Sequence, residues 1–135
     1  MSEETSAMDT WTAGELSMIG YAEELDLASR RDDGTLRQPV TIWVVCVDDD
    51  LYVRCMNGRS GAWYRGTQTS HQGHISAGGV EVNVTFADAD PGDSAVHDRI
   101  DEVYRTKYRR YGNNIIGSVV SPAARAATIR LIPER

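Results

Sequence analysis

The sequence predicts a mainly β domain of the α+β class, with antiparallel strands and a helix toward each end. Three observations carry this. Residues 39–47 form an apolar run hydrophobic on both alternating faces, Gly78-Gly79 separates two alternating segments, and stripes of helical periodicity lie at 12–25 and 94–111. At 135 residues the chain is one domain, long enough to bury a core without a disulfide or a structural metal. Residues 1–10, beginning MSEETSAMD, are expected to be a disordered tail, and 11–135 the domain.

Thr12-Ala13-Gly14-Glu15 has capping-box spacing, and Leu16, Ile19, Ala22 and Leu25 follow as a narrow apolar stripe. That width suits a helix lying over one end or side of a sheet. A short strand at 27–30 precedes the Asp32-Asp33-Gly34 turn. In Pro39–Val47, Val40, Ile42, Val44 and Cys46 share one face, and Trp43, Val45 and Val47 the other. Such a strand is covered twice. In a small antiparallel protein the second cover is a helix, a ligand or a second subunit, and a homodimer is expected.

The next strand places Leu51, Val53 and Cys55 on one side and Tyr52, Arg54 and Met56 on the other. Segments 74–76 and 80–86 flank Gly78-Gly79 as a hairpin. Asp93 or Ser94 caps a helix whose stripe is Val96, Ile100, Val103, Tyr104, Tyr108 and Tyr111, ended by Gly112-Asn113-Asn114, and TIRLI at 128–132 is the last of six strands. The tyrosine ring bodies pack while their hydroxyls need partners, which suits an interface, a pocket wall or a core helix with wet tips.

A formal charge of -6 excludes a role that depends on coating a nucleic-acid backbone, although Arg99, Arg105, Lys107, Arg109 and Arg110 make the late helix locally basic. No segment approaches membrane-spanning length, and Cys46 and Cys55 fall out of register if residue 47 pairs near 51. A reducing, cytoplasmic location is expected. His71 and His74 have no further ligand at metal spacing, so no metal site is expected. The chain has no nucleophile elbow, Walker-type loop or Rossmann fingerprint.

The segment DLYVRCMNGRSGAWYRG at 50–66 carries the chemistry. Gly58 and Gly61 permit positive φ angles, so backbone N–H groups can converge on phosphate oxygens, with Arg59 and Arg65 supplying charge and Trp63-Tyr64 a flat surface. The Ser60 hydroxyl donates either to an anion or to the turn itself. A phosphate on a planar cofactor fits; so does a plain loop with solvated arginines and a buried Trp63.

The succession Arg37-Gln38-Pro39, TIWVV, LYVRC, GRSGAWYR and HISAGGVEVNVTF, with the late pattern of Asp101, Tyr104, Lys107, Tyr108 and Tyr111, resembles an uncharacterised bacterial domain family. That family is similar to the split-barrel superfamily of pyridoxamine-phosphate-oxidase-like flavoproteins and deazaflavin-dependent nitroreductases. The resemblance covers residues 11–133. It implies a six-stranded split β-barrel of antiparallel Greek-key type, a dimer, and a flavin (FMN) or deazaflavin in a cleft between subunits. It also implies cofactor-binding positions: Arg54, Asn57, Gly58, Arg59, Ser60, Trp63, Tyr64 and Arg65, with Arg37 and Thr41 outside them and Tyr108 and Tyr111 toward substrate.

The leading functional expectation is a small flavin- or deazaflavin-dependent oxidoreductase of nitroreductase type, in which the protein holds the ring, neutralises the phosphate and shapes the pocket. The alternatives are a non-catalytic split-barrel module that binds a small anionic metabolite or dimerises, and an interaction domain using Arg105 and Arg109.

Overall fold

The computed structural model describes residues 10–134. Apart from Thr10, the expected tail lies outside the described residues. Helix α1 (Ala13–Gly20) starts as its capping box predicts: the Glu15 N–H donates to the Thr12 hydroxyl at 3.1 Å, and the Thr12 N–H donates to the Glu15 carboxylate at 2.9 Å. Strands β1 (Leu25–Ser29), β2 (Val40–Ile42), β3 (Val45–Val47) and β4 (Asp50–Arg54) follow. A 3₁₀ turn (Gly58–Ser60), α2 (Ala62–Ser70), β5 (Gln72–Ala77), β6 (Val80–Asp88) and α3 (Ser94–Lys107) come next. A second 3₁₀ turn (Arg109–Tyr111), α4 (Asn113–Val119), α5 (Pro122–Ala126) and β7 (Thr128–Pro133) complete the chain.

All strand pairings are antiparallel, in the order β2-β1-β5-β6-β7-β4-β3. There are seven strands rather than the expected six because Pro39–Val47 breaks at Trp43-Val44, its first half pairing with β1 and its second with β4. Alternation continues through the break. Val40, Ile42, Val44 and Cys46 all pack into one core cluster, and Trp43, Val45 and Val47 into the other. One segment thus occupies both edges of the sheet, which curls into a half-barrel whose open side lies where β2 leaves β4.

The Gly78-Gly79 hairpin forms with φ of 58° and 84°, the left-handed angles a two-residue turn of this hand requires. A similar turn at Asp48-Asp49 pairs Val47 with Asp50 and Cys46 with Leu51, one residue from the expected register. Both cysteines are free thiols.

The inner cluster is built from Leu25, Leu27, Leu51, Val53, Ile75, Val84, Phe86 and Leu131. On the outer face Val45, Val47 and Tyr52 pack beneath Ile100, Tyr104 and Tyr108 of the late helix region. The second cover of the 39–47 segment is therefore the chain's own helix, which leaves that face without need of a second subunit. Two further details differ from expectation. Helix α3 stops at Lys107, and Gly112, at φ 87°, precedes a new helix rather than ending the old one. Helix α5, not expected from the sequence, begins at Ser121-Pro122: the serine hydroxyl accepts the Ala124 N–H at 3.2 Å, and proline occupies the first turn.

Candidate functional site

Where β2 turns away toward β1, the end of β4 is left with β7 alone, and the gap is a cavity of about 330 Å³. Its walls are Val40 to Trp43 on one strand and Arg54 to Asn57 with Trp63 beyond the other, and Glu24 and Val119 also line it. A second compartment of about 320 Å³, lined by Arg31, Arg37, Gln38 and Ala62 among others, shares Val40 and Trp63 with the first. Together they form one groove along β2 and the start of α2.

Trp43 is held from behind. Its indole stacks on Tyr108 with centroids 4.0 Å apart and planes within 4°, and leans on Tyr111 at 5.1 Å. The Tyr108 hydroxyl donates to the Glu23 carbonyl at 2.7 Å and accepts the Val44 N–H at 3.2 Å. Burial pushes its pKa up to about 12. The Tyr111 hydroxyl bonds the Glu23 carboxylate. Neither tyrosine lines the groove, so the expected substrate-facing pair is instead the brace of a tryptophan that does.

Arg54 reaches the groove only as part of its wall, because its guanidinium is buried and turned toward α3. Nε donates to Thr128 Oγ1 at 2.9 Å; one terminal nitrogen donates to Asp101 at 2.5 Å and Val119 O at 3.1 Å. The other donates to His97 Nδ1 at 3.0 Å and His97 O at 3.4 Å. All five N–H groups have acceptors, which leaves none for a phosphate. Since arginine only donates, His97 Nδ1 must accept, and its Nε2–H donates to Asp90 O at 3.0 Å. Asp101 is shared with Arg125, whose contact is also 2.5 Å, and Arg125 reaches Asp98 at 2.7 Å. This cation, expected to hold an anion, is instead the centre of a buried ionic strut.

The glycine turn is also structural. Gly58 takes φ 73°, but Gly61 has φ −62°, and a Cβ there would lie 2.3 Å from the Cys55 sulfur. Ser60 donates to Asn57 O at 3.2 Å, which is the turn-closing role, and Arg59 Nε donates to Ala126 O at 3.0 Å. Tyr64 is buried with the inner cluster, its pKa raised by burial and then by Asp88, and Arg65 is exposed on α2. The groove therefore gathers Arg37, Thr41, Asn57 and Trp63, with Arg54 in its wall, and leaves out Gly58, Arg59, Ser60, Tyr64 and Arg65.

Arg37 is half-buried: its Nε is buried without a partner, and its Nη2 reaches Thr69 at 3.5 Å. Thr41 donates to Asp26 at 2.6 Å. Sequence reasoning missed Glu24, Cys55 and Trp43 as groove residues. Trp43 carried a signal, as an indole on the second face of a doubly apolar strand. Cys55 is buried and its pKa raised by that burial, which suits a wall and not a nucleophile. Among the described residues no cluster of three or more potential metal ligands occurs, and no helix is long and apolar enough to cross a membrane.

A half-barrel with a groove at its open side is a fold of the split-barrel kind. The chain belongs to the bacterial family described as "Uncharacterized protein conserved in bacteria (DUF2255)", which matches residues 15–131. No curated protein matches it. Among solved structures it is similar to a protein assigned as a pyridoxamine 5'-phosphate oxidase from Listeria innocua, with a TM-score of 0.61 and 15% identity over 89% of this chain and 90% of that one. It is also similar to HutZ, the heme storage protein of Vibrio cholerae, at 0.60 and 15% over 88% and 87%. A FAD-binding protein from Mesorhizobium loti gives 0.56 and 16% over 93% and 92%. At these identities the likeness is one of fold.

Proposed function

We propose that the groove binds a flavin mononucleotide or deazaflavin and that the protein is a small oxidoreductase of nitroreductase type, acting as a homodimer. The observation that carries this reading is a two-compartment groove bordered by the indoles of Trp43 and Trp63, with the unpartnered Arg37 Nε at its far end. The residues fit such a group. Arg37 would hold the phosphate, Trp63 would border the ring, and the Asn57 amide and Thr41 hydroxyl would meet its polar edge. Glu24, which lines the first compartment and not the second, would repel an anion there and favour the phosphate beside Arg37. When bound, such a cofactor supplies hydride transfer; the chain's part is to bind, orient and exclude water. In this reading β2 and β3 count as one strand, which gives the six-stranded Greek-key barrel.

The test is thermal unfolding of the purified chain with FMN and, separately, a deazaflavin. A cofactor at about 100 times its dissociation constant adds about 2.7 kcal/mol to stability. Arg37→Ala and Trp63→Ala weaken binding about tenfold or more, whereas Arg59→Ala does not. No shift with either cofactor overturns the proposal. Sedimentation gives the oligomeric state.

A second reading, a non-catalytic module for a small anionic metabolite, is favoured by one observation: the guanidinium of Arg54 is spent internally and Arg59 already bonds the backbone, which leaves the compartment at Arg37 as the anion site. It predicts protection by inorganic phosphate and none by flavins. A haem reading lacks an imidazole, because His71, His74 and His97 all lie outside the groove lining.

A further inference from the structure

A cavity larger than either groove compartment lies elsewhere. About 690 Å³ lies between α1, β3 and α3, lined by Leu16, Gly20, Tyr21, Cys46, Val103 and Lys107 among others, and it shares no residue with the groove. That is the size of a site for a small organic molecule. Tyr21, just after α1, lines it and is 87% exposed.

Lys107 is the only lysine in the chain. It is half-buried in this wall and forms no ion pair among the described residues. Its Nζ donates to the Val44 carbonyl at 2.6 Å and lies 5.1 Å from the Tyr108 ring centroid. When the amine leaves, the single proton of the Tyr108 hydroxyl can swing from the carbonyl of exposed Glu23 to Val44 O, 3.1 Å away. A solvated ammonium has no reason to be here, and no carboxylate pins it.

We propose that this cavity receives an apolar aldehyde and that Lys107 captures it as an imine. The Nζ lone pair attacks the carbonyl carbon to give a carbinolamine. Loss of water then forms the C=N bond, the carbonyl oxygen leaving with the two amine protons, so no oxidant or reductant is required. Leu16, Cys46 and Val103 hold the alkyl part, and Ser17, Glu102 and Thr106 complete the wall. Burial lowers the lysine pKa to about 8, with Cys46 pulling weakly the other way. About a tenth of the amine is then neutral at pH 7, against fewer than one in about a thousand for a free lysine.

The test uses hexanal with cyanoborohydride on the intact chain, followed by peptide mapping; the terminal α-amine is the internal control and the urea-unfolded chain the reference. The expected result is saturable labelling of Lys107 in the native chain, at least about tenfold faster than in urea, with protection by 1-hexanol. Val103→Arg, which fills the cavity, slows labelling to the unfolded rate. A native rate no faster than the unfolded one, or labelling insensitive to both 1-hexanol and Val103→Arg, overturns the proposal. If Val103→Arg does not fold, protection by 1-hexanol decides alone.

Discussion

Arg54 and Lys107 are both cations drawn into the outer layer, and they answer burial in opposite ways. Arg54 keeps its charge by collecting acceptors from Asp101, Thr128, Val119 and His97. Asp101→Asn leaves that charge buried without a counterion and is expected to cost about 3–5 kcal/mol in urea unfolding. Arg54→Met is expected to cost less, because Asp101 retains Arg125. Lys107 finds no such partner and gives up its proton more readily. Unfolded, it holds the proton to about 10.4; folded, to about 8. Between these values the unfolded chain binds more protons, so stability rises with pH across that window, and below it the buried ammonium is a standing cost. Lys107→Met is therefore expected to raise the Tm at pH 7 and to remove the rise between pH 8 and 10. The comparison is made as variant against wild type because Cys46 and Tyr108 face the same site and titrate upward of their usual range.

At the scale of elements, the hairpin tip is more than a turn. A Cβ on Gly78 would sit 2.2 Å from the Met18 carbonyl, so the tip docks on α1 through the absence of a side chain as well as through its φ of 58°. Gly78→Ala is expected to cost about 2 kcal/mol or more, read as a lower urea midpoint at unchanged m-value. The hairpin itself, the capping box of α1, the cap of α3 by Asp93 and both faces of the 39–47 strand were legible in the sequence, because each is local: a spacing, a turn pair, an alternation. Helices α4 and α5 were not. At seven and five residues they are too short for helical periodicity to show, and they are held by packing on α3 and the Gly58 turn.

For the whole molecule, legibility ended where partners lie far apart in sequence. The alternation placed Arg54 beside Tyr52 on the correct face, but only the fold brings Asp101 to it across 47 positions, and so the residue type read as an anion ligand is a strut. The groove was half visible for the same reason: Asn57 and Trp63 are local to the glycine turn, whereas Arg37 and Trp43 join it through the path of β2. The architecture also orders the stability of its strands. β2 has three rungs to β1 and no buried residue, while β5, β6 and β7 are paired on both sides. Amide exchange is expected to be fastest in β2 among the strands, and ligand binding in the groove should slow it selectively, as hydrogen-exchange mass spectrometry would show.

Because the two halves of residues 40–47 serve as opposite seams of the sheet while keeping unbroken parity, the chain cannot change length between them. One residue added at Trp43-Val44 would invert either the half that meets β1 or the half that meets β4, exchanging that half's side chains between the inner and outer clusters. Lengthening at the Asp32-Asp33-Gly34 tip disturbs neither seam. Insertions and deletions among members of this family should accordingly collect at such tips and be excluded from a stretch that, by local structure alone, is only a bend.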